Sequence, residues 1–172
     1  MILSKNEIFK AIRSGRLAIT PFKKENVGAC SVDLTLGNEF KVFKKSKNVL
    51  EVNEGAEAGP AFAKRVKLKP GQQIILKPGE LVLGITSERL RLADNLIGHL
   101  EGRSRFARLG LLVHVSSSLI QPGVDNVQVL EMANLAPHPL ALKPGLRLCQ
   151  VVFEEVKGSA HYEGRFKRQG HI

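Results

Sequence analysis

A short stretch of the sequence combines residue types that can bind an anion. Gly102-Arg103-Ser104 predicts a turn that enters a helix, where free backbone amides point outward and glycine lets a ligand approach closely. Together with Arg108, the Arg103 guanidinium and the Ser104 hydroxyl form a donor set that suits phosphate. A capped surface helix with hydrated arginines explains the same residues, and the segment taken by itself favours that simpler interpretation.

A carboxylate lies inside an apolar strand pattern. Alternation along Val127-Gln128-Val129-Leu130-Glu131-Met132 puts Glu131 on the same face as Val127 and Val129. Burial beside two valines would raise the pKa of this carboxyl group and suit it to proton transfer near neutral pH. The face could instead point to solvent, or Glu131 could pair with an arginine, and the sequence leaves these alternatives open.

Three serines, Ser116 to Ser118, separate two apolar segments and precede the turn Gln121-Pro122-Gly123. The simplest explanation of this serine run is a turn with exposed hydroxyl groups, and we prefer this explanation for Ser118. Small residues and free backbone groups in such a loop could also line a pocket that reads the edge of a base.

The composition limits the class of protein and of partner. The 172 residues suffice for a single domain with a sizeable core, and no apolar run approaches the roughly 20 residues that span a bilayer. The N-terminus lacks the apolar core of a secretion signal, so we expect a cytoplasmic protein. A net charge of +10 indicates an anionic partner. With dispersed basic residues and only 5% aromatics, a nucleoside triphosphate fits as well as nucleic acid.

The cysteines and histidines do not indicate a metal site. Cys30 and Cys149 are far apart and embedded in apolar sequence, which predicts buried reduced thiols. The five histidines have no HExxH or other paired ligand spacing, so we expect no metal held by the protein alone.

Helix signals are few and strand signals are many. Ser4-Lys5-Asn6-Glu7 forms a capping box before an apolar stripe, and Gly15 follows as a stop, so we predict a helix near residues 4–14. A second short helix is predicted at 104–109, where Ser104 would be the N-cap. Alternating apolar and polar residues predict strands at 31–37, 39–43, 73–76, 81–86, 111–115, 127–132 and 148–153.

Turn signals separate these strands. Leu-Lys-Pro-Gly occurs at 68–71, 76–79 and 142–145. Each copy should end or reverse a strand, because proline presets one turn dihedral and glycine accepts the positive φ that follows. Many short strands with little helix predict a mainly β fold: a sandwich, a jelly roll or a barrel-like body. Segment 53–64 should be an exposed loop, and the polar tail after Gly158 should be disordered or ordered by a ligand.

Taken together, these residues resemble the dCTP deaminase branch of the dUTPase-like superfamily. The matches occur in order along nearly the whole chain, which makes them far more specific than one Gly-Arg-Ser. They comprise Ser31-Val32-Asp33-Leu34 with Leu36-Gly37, Gly102-Arg103-Ser104 with Ala107-Arg108-Leu109-Gly110, Val113-His114-Val115, Pro122-Gly123, Leu130-Glu131, Pro144-Gly145, and Tyr162-Glu163-Gly164-Arg165-Phe166 with Gln169.

The resemblance implies a distorted β jelly roll, residues 1–158, that assembles as a homotrimer with active sites between subunits. A mobile tail, residues 159–172, would close over the nucleotide. The implied reaction is hydrolytic deamination of dCTP to dUTP and ammonia without zinc, in pyrimidine deoxynucleotide metabolism, with Mg²⁺ carried on the triphosphate. The complete signature of zinc deaminases, His-x-Glu followed by Pro-Cys-x-x-Cys, is absent, because the sequence has no Pro-Cys-x-x-Cys. The resemblance also allows feedback inhibition by dTTP near His114-Val115.

The same resemblance implies roles for individual residues. Glu131 would deprotonate the attacking water and carry the proton toward N3 and the departing amine. Ser104 and Arg108 would help to position the water. The implied substrate-binding residues are Arg103, Ser104, Arg105, Arg108, Val115, Ser116, Ser117, Gln121, Tyr162, Arg165, Phe166 and Gln169.

Four residues depart from the family pattern. Gln121 stands where the family usually has aspartate. An amide can hydrogen-bond a ribose hydroxyl but cannot act as the base for attack on a phosphate, which argues against pyrophosphatase activity. Arg105 replaces a common serine, Val124 a frequent aromatic residue and Phe166 a usual tyrosine. The alternative functions are a dUTP pyrophosphatase or bifunctional dCTP deaminase–dUTPase, and a non-catalytic trimer that binds nucleotides or nucleic acid.

Overall fold

The computed structural model describes all of residues 1–172 and has the mainly β architecture that the sequence predicts. Two α-helices, α1 (Lys5–Arg13) and α2 (Ser104–Ala107), and one 3-10 turn (Lys24–Asn26) interrupt the strands. None of the helices is long and apolar enough to cross a membrane. The strands are β1 (Leu17–Thr20), β2 (Val32–Phe43), β3 (Ala63–Lys67), β4 (Ile74–Leu76), β5 (Leu81–Leu92), β6 (Leu96–Gly102), β7 (Leu111–Leu112), β8 (Leu119–Ile120), β9 (Asp125–Asn134), β10 (Leu140–Leu142) and β11 (Arg147–Glu155).

Nine of the eleven strands form one curled antiparallel sheet. Its main path runs β7-β9-β5-β2-β11-β6-β8, with β1 beside β5 and β3 beside β2, while β4 and β10 form a separate two-stranded ribbon. The two longest strands change partners along their length. β2 pairs first with β11 and then with β5 and β3, and β5 pairs first with β2 and then with β1. These changes bend the sheet into the barrel-like body of the predicted fold class.

The bend in β2 depends on Gly37. Pairing between β2 and β5 is irregular from Leu36 to Phe40, and a Cβ atom at Gly37 would lie 2.9 Å from the carbonyl oxygen of Ile85. Because only glycine lets the two backbones approach this closely, the bulge and the curvature it produces require this residue.

One cluster of 27 buried residues fills the curled sheet. Phe40 and Phe153 are its largest fully buried side chains, and α1 adds Ile8 and Ala11. Val124, which replaces an aromatic residue of the family pattern, is also part of this core. The core therefore contains residues from Leu3 to Phe153, and it holds the strands that carry the candidate site in fixed positions.

The N-terminal helix forms where the sequence predicts it, but its capping box does not. α1 follows Ser4, and Gly15 comes after it with a φ of +74°. The Ser4 side chain makes no capping hydrogen bond, and the Glu7 carboxylate instead accepts one from Lys10 at 2.6 Å. The ion pair competes for the carboxylate that a capping box needs.

Only one of the two cysteines is buried. Cys149 lies in the core, as predicted, and burial raises the pKa of its thiol well above the ordinary value. Cys30 is exposed, so its predicted burial is wrong. It lies in the turn between Val27 and Val32, which form an isolated bridge, and the tip of such a turn faces solvent.

Each predicted strand corresponds to an observed one, and hydrophobic alternation missed five others. Segments 31–37 and 39–43 form a single strand, β2, because the bulge interrupts the alternation without ending the pairing. β7 stops at Leu112, three residues short of the predicted end. β1, β3, β8 and β10 are only two to five residues long. In β6 burial does alternate, but the buried positions include Gly98, so the sequence shows no apolar alternation there. The Leu-Lys-Pro-Gly turns do end strands, and their glycines have φ values of +83°, +76° and +90°.

We predict that Gly110→Ala destabilises the fold by about 2–4 kcal/mol, since its φ is +83° and an added Cβ would lie 2.8 Å from both Cβ and N of Ala136. Gly15→Ala is the matched control: its φ is +74°, but no atom lies near the added Cβ, so about 1 kcal/mol is expected from backbone strain alone. Urea unfolding curves for the two variants measure this difference. Equal losses of stability would mean that close packing at Gly110 is unimportant.

Candidate active site

Glu131 lies in the middle of β9 and points away from the core. Its neighbours Leu130 and Met132 are fully buried. Alternation therefore turns Glu131 to the opposite face of the sheet with Val127 and Val129, where all three are half-buried. The carboxylate is accessible without being fully hydrated.

Backbone amides of the loop after β7 hold the Glu131 carboxylate. Its Oε2 atom accepts hydrogen bonds from the N–H groups of Val115 and Ser116 at 2.8 Å each and from that of Ser117 at 3.4 Å. Antiparallel pairing of β7 with β9 brings the loop, residues 113–118, to this position. The loop expected to read a base edge thus lies directly beside the expected catalytic carboxylate.

The pKa of Glu131 lies below its ordinary value of 4.5. Burial acts to raise this pKa, but the amide hydrogen bonds from the loop stabilise the carboxylate, and His114 adds a weaker attraction. The expectation that burial beside valines raises the pKa is therefore wrong for the free chain, because backbone donors outweigh desolvation.

The Gly-Arg-Ser turn joins β6 to α2. Arg103 is still extended and precedes the helix, so Ser104 is the first helical residue and not the predicted N-cap, and the helix ends at Ala107. The Arg103 guanidinium pairs with the Asp33 carboxylate at 3.1 Å and donates a hydrogen bond to the carbonyl of Arg147 at 2.8 Å. Arg103 is thus anchored to β2 and β11, and only 19% of its side chain is exposed.

The polar residues that follow Arg103, in α2 and at its end, form no ion pair within the chain. Ser104, Arg105 and Arg108 are exposed, and neither arginine forms an ion pair with a carboxylate of the chain. Two uncompensated guanidinium groups and one hydroxyl are therefore available to an anionic ligand.

The C-terminal tail lies along the start of β9. The backbone N–H of Asp125 donates to the carbonyl of Lys167 at 2.9 Å, and the Asn126 side-chain amide donates to the carbonyl of Phe166 at 2.7 Å. The tail thus adds to a free stretch of strand edge through a main-chain hydrogen bond of Asp125 and through the side-chain amide of Asn126.

The beginning of the tail covers the turn that contains Gln121. Tyr162 N–H donates to the carbonyl of Pro122 at 3.0 Å, and His161 Nδ1 lies 2.6 Å from Asp94 Oδ1. Gln121 itself is half-buried, and its side chain makes no hydrogen bond within the chain. Its amide is therefore available to a ligand beside the tail.

The predicted tail residues are distributed around this contact. Arg165 pairs with Glu57, and its guanidinium carbon lies 5.5 Å from the centre of the exposed Phe166 ring. The carbonyl of Gln169 accepts the N–H of Val127 at 3.0 Å. Backbone groups therefore carry the docking, while the side chains of Arg165 and Phe166 remain largely exposed.

The predicted residues form three separate clusters in one chain. They are Glu131 with loop 113–118, the Gly-Arg-Ser turn, and the tail with the Gln121 turn. No hydrogen bond or ion pair joins any two of the clusters.

Sequence reasoning missed the residues that anchor these clusters. Asp33 belongs to a sequence motif, but nothing in the motif marks it as the partner of Arg103. No sequence pattern marks Arg147 or Asn126. Arg147 lies opposite Thr35 in the pairing of β11 with β2. Only this pairing, across more than a hundred residues of sequence, brings Arg147 near Asp33, so no local signal could have found it.

Comparison with known proteins is consistent with this geometry. The model of the dCTP deaminase-like family matches residues 2–156. The chain belongs to this family. It is 39% identical over 171 residues to the dCTP deaminase of Thermomicrobium roseum, covering 98% of this chain and 86% of the relative. It is 42% identical over 161 residues to that of Rhodospirillum rubrum, covering 90% and 82%.

Other relatives differ in their product or in their length. A dUMP-forming dCTP deaminase of Dictyoglomus thermophilum is 35% identical over 162 residues, covering 93% of this chain and 83% of the relative. The solved structure of a 2′-deoxycytidine 5′-triphosphate deaminase from Agrobacterium tumefaciens superposes with a TM-score of 0.68 at 20% identity. The match covers 91% of this chain but only 48% of that one, and it supports the fold alone.

We predict that Glu131 titrates below 4.5 in the free protein, as measured by carboxyl carbon NMR, with Glu131→Gln used to assign the resonance. A lowered folded-state pKa stabilises the fold above the unfolded-state value and is lost as pH falls through the folded-state value. The stability advantage of the natural protein over Glu131→Gln should therefore be full near neutral pH and shrink below about pH 4. An advantage that grows on acidification would contradict the amide contacts.

Proposed function

We propose that the protein is a dCTP deaminase, which hydrolyses dCTP to dUTP and ammonia. One observation carries the proposal: a half-buried carboxylate, Glu131, held through Oε2 by backbone amides on the face of β9 away from the core. The Oε1 atom makes no hydrogen bond within the chain, so it is free to accept one from water. Relatives named dCTP deaminase, at 39% and 42% identity, support the reaction class.

In the proposed reaction the water oxygen attacks C4 of cytosine while Glu131 takes a proton from the water. N3 receives that proton as the ring becomes a tetrahedral adduct. The remaining hydroxyl proton then passes to the amine, the C4–N bond breaks, and ammonia leaves a carbonyl at C4. We propose that the carboxylate activates the water without zinc, because the sequence lacks the Pro-Cys-x-x-Cys that supplies zinc ligands in zinc deaminases.

Substrate binding should change the environment of Glu131. The amides of Val115, Ser116 and Ser117 are the proposed contacts to the pyrimidine, yet in the free chain they point to the carboxylate. If the base draws these donors away, the hydrogen bonds that lower the pKa of Glu131 are lost, while the bound base excludes water. Both changes raise the pKa toward the range that suits proton transfer.

The Gly-Arg-Ser turn and the tail would complete the substrate site. Exposed Arg105 and Arg108 are free to meet the phosphates and the charged intermediate, and Ser104 offers a hydroxyl to the water. Arg103 would contribute to phosphate binding from its fixed position beside Asp33. Mg²⁺ would arrive on the triphosphate and offset its charge, since the chain offers no ligand cluster of its own.

The tail residues Tyr162, Arg165, Phe166 and Gln169 are proposed to cover the nucleotide and limit access of bulk water. Tyr162 and Gln169 already lie against the Gln121 turn and β9 through backbone hydrogen bonds.

A homotrimer would explain why one chain holds the site in three unconnected clusters. Several large apolar residues near the clusters are exposed, among them Leu109, Val115, Leu119 and Leu135. Exposed apolar side chains concentrated beside a binding site are typical of a surface covered by another subunit. We propose that neighbouring copies bring Glu131 of one chain to the Gly-Arg-Ser turn of another.

We predict that Glu131→Gln lowers kcat for dCTP by about 10²–10⁴-fold, because the amide cannot take the proton of water, while dCTP still binds. Coupled assays of ammonia release and direct titration of dCTP measure the two effects. Glu7→Gln, which changes a carboxylate of α1 paired only with Lys10, is the control and should keep full activity. Unchanged turnover in Glu131→Gln would remove this residue from the reaction.

Formation of dUMP is a second candidate activity, because the relative from Dictyoglomus thermophilum is named dUMP-forming. It would require attack of water on the α-phosphate and release of pyrophosphate. Gln121 argues against it, since its amide lacks a carboxylate's ability to accept the proton of that water.

We therefore predict that dCTP yields ammonia and dUTP with no pyrophosphate. Gln121→Asp should introduce or raise pyrophosphate release from dUTP. Gln73→Asp, at an exposed position whose side chain makes no hydrogen bond within the chain, serves as a control for the added charge. Ion-exchange chromatography of the products, run with a pyrophosphate assay, separates the outcomes. Pyrophosphate formed one-for-one with ammonia by the natural protein would establish the bifunctional activity instead.

A further inference from the structure

A polar pocket lies on the side of the protein next to the Gly-Arg-Ser turn. It has a volume of about 420 Å³ and is lined by six residues, none of them hydrophobic. They come from the 3-10 turn and the residue before it, from β2, from the turn before β11 and from its first residue: Lys23, Glu25, Asn26, Thr35, Gly145 and Arg147. None of the reaction steps proposed above uses this polar pocket.

Asn26 is the buried polar group of the pocket. Only 6% of the residue is exposed, and its side-chain amide has no hydrogen-bond partner in the protein. No side-chain nitrogen or oxygen of the chain is both sealed from solvent and unpaired, so the amide retains access to solvent, and Asn26 lines the pocket. The amide is thus held in place by a buried residue while its donor and acceptor remain available to a ligand in the pocket.

The charged residues of the pocket are also free to bind. Lys23 and Glu25 form no ion pair within the chain. Arg147 lies 3.7 Å from Asp33, which pairs more closely with Arg103 at 3.1 Å, and about half of the Arg147 side chain is exposed. The guanidinium therefore retains donors that can turn toward the pocket.

The donor set identifies the ligand by its chemistry. Lys23, Arg147 and the Asn26 amide offer donors to an oxyanion, and the Thr35 hydroxyl adds another. Glu25 repels a fully ionised anion but accepts a hydrogen bond from one that keeps a hydroxyl. A phosphate group has both features at neutral pH, because its last proton is only partly lost there.

We propose that this polar pocket is a phosphate-binding site, with Lys23 and Asn26 as its essential residues. The phosphate is either the end of the nucleotide chain held at the Gly-Arg-Ser turn or a free phosphate or pyrophosphate. Only the first possibility rests on the proposed function; binding of phosphate in the pocket does not.

Calorimetric titration of the full chain with pyrophosphate tests the site. Lys23→Gln and Asn26→Leu should each weaken pyrophosphate binding about tenfold, since each removes a hydrogen bond to a charged ligand. Lys24→Gln is the matched control, because it removes the same charge one residue away, where the ammonium lies over the Phe9 ring and does not line the pocket. It should bind pyrophosphate as the natural protein does.

Two results would overturn the proposal: no binding of pyrophosphate by the natural protein, or equal binding by Lys23→Gln and the natural protein. Lys23 is exposed, so its replacement keeps the test valid even where Asn26→Leu fails to fold.

A second titration, in saturating dCTP, identifies the source of the phosphate. If the pocket takes the end of the nucleotide, dCTP displaces pyrophosphate, and Lys23→Gln raises KM for dCTP about tenfold with little change in kcat. If it takes free phosphate, pyrophosphate binds equally with and without dCTP, and KM is unchanged. Absence of any dCTP turnover would refute the deaminase function. It would not affect the test of the pocket by pyrophosphate titration.

Discussion

The contact between the loop amides and the Glu131 carboxylate is the interaction around which the candidate site is built. It joins the loop that should recognise the base to the residue that should activate water, at a distance of 2.8 Å. It depends in turn on the pairing of β7 with β9, which fixes where the loop begins, and on the short pair of β8 with β6, which fixes where it ends. A carboxylate held in this way is ionised and oriented before any ligand arrives.

The curvature of the sheet decides what else can reach this contact. Because β2 and β5 change partners along their length, the Gly-Arg-Ser turn, loop 113–118 and the tail emerge at different places on the surface. The bulge at Gly37 thus contributes to the curvature that positions elements it does not touch.

Charge is distributed unevenly around the Gly-Arg-Ser turn. Asp33 neutralises Arg103 and lies near Arg147, whereas Arg105 and Arg108 have no acidic partner. The structure therefore divides the arginines into one that is fixed and others that are free to respond to a ligand. A net charge of +10 does not reveal this division, because it depends on which side chains the strands bring together.

The sequence by itself determined the mainly β class, the first helix and the Pro-Gly turns. It also identified the residues whose side chains could bind a ligand or transfer a proton. Those features depend on local preferences: alternation, capping positions and turn dihedrals. The sequence also placed Glu131 on one face of its strand. Tertiary structure decided the direction of its pKa shift, because the amides that outweigh burial come from another strand's loop. It likewise decided the pairing of Arg103 with Asp33, the exposure of Cys30 and the pocket around Asn26, since each depends on contacts between segments distant in the chain.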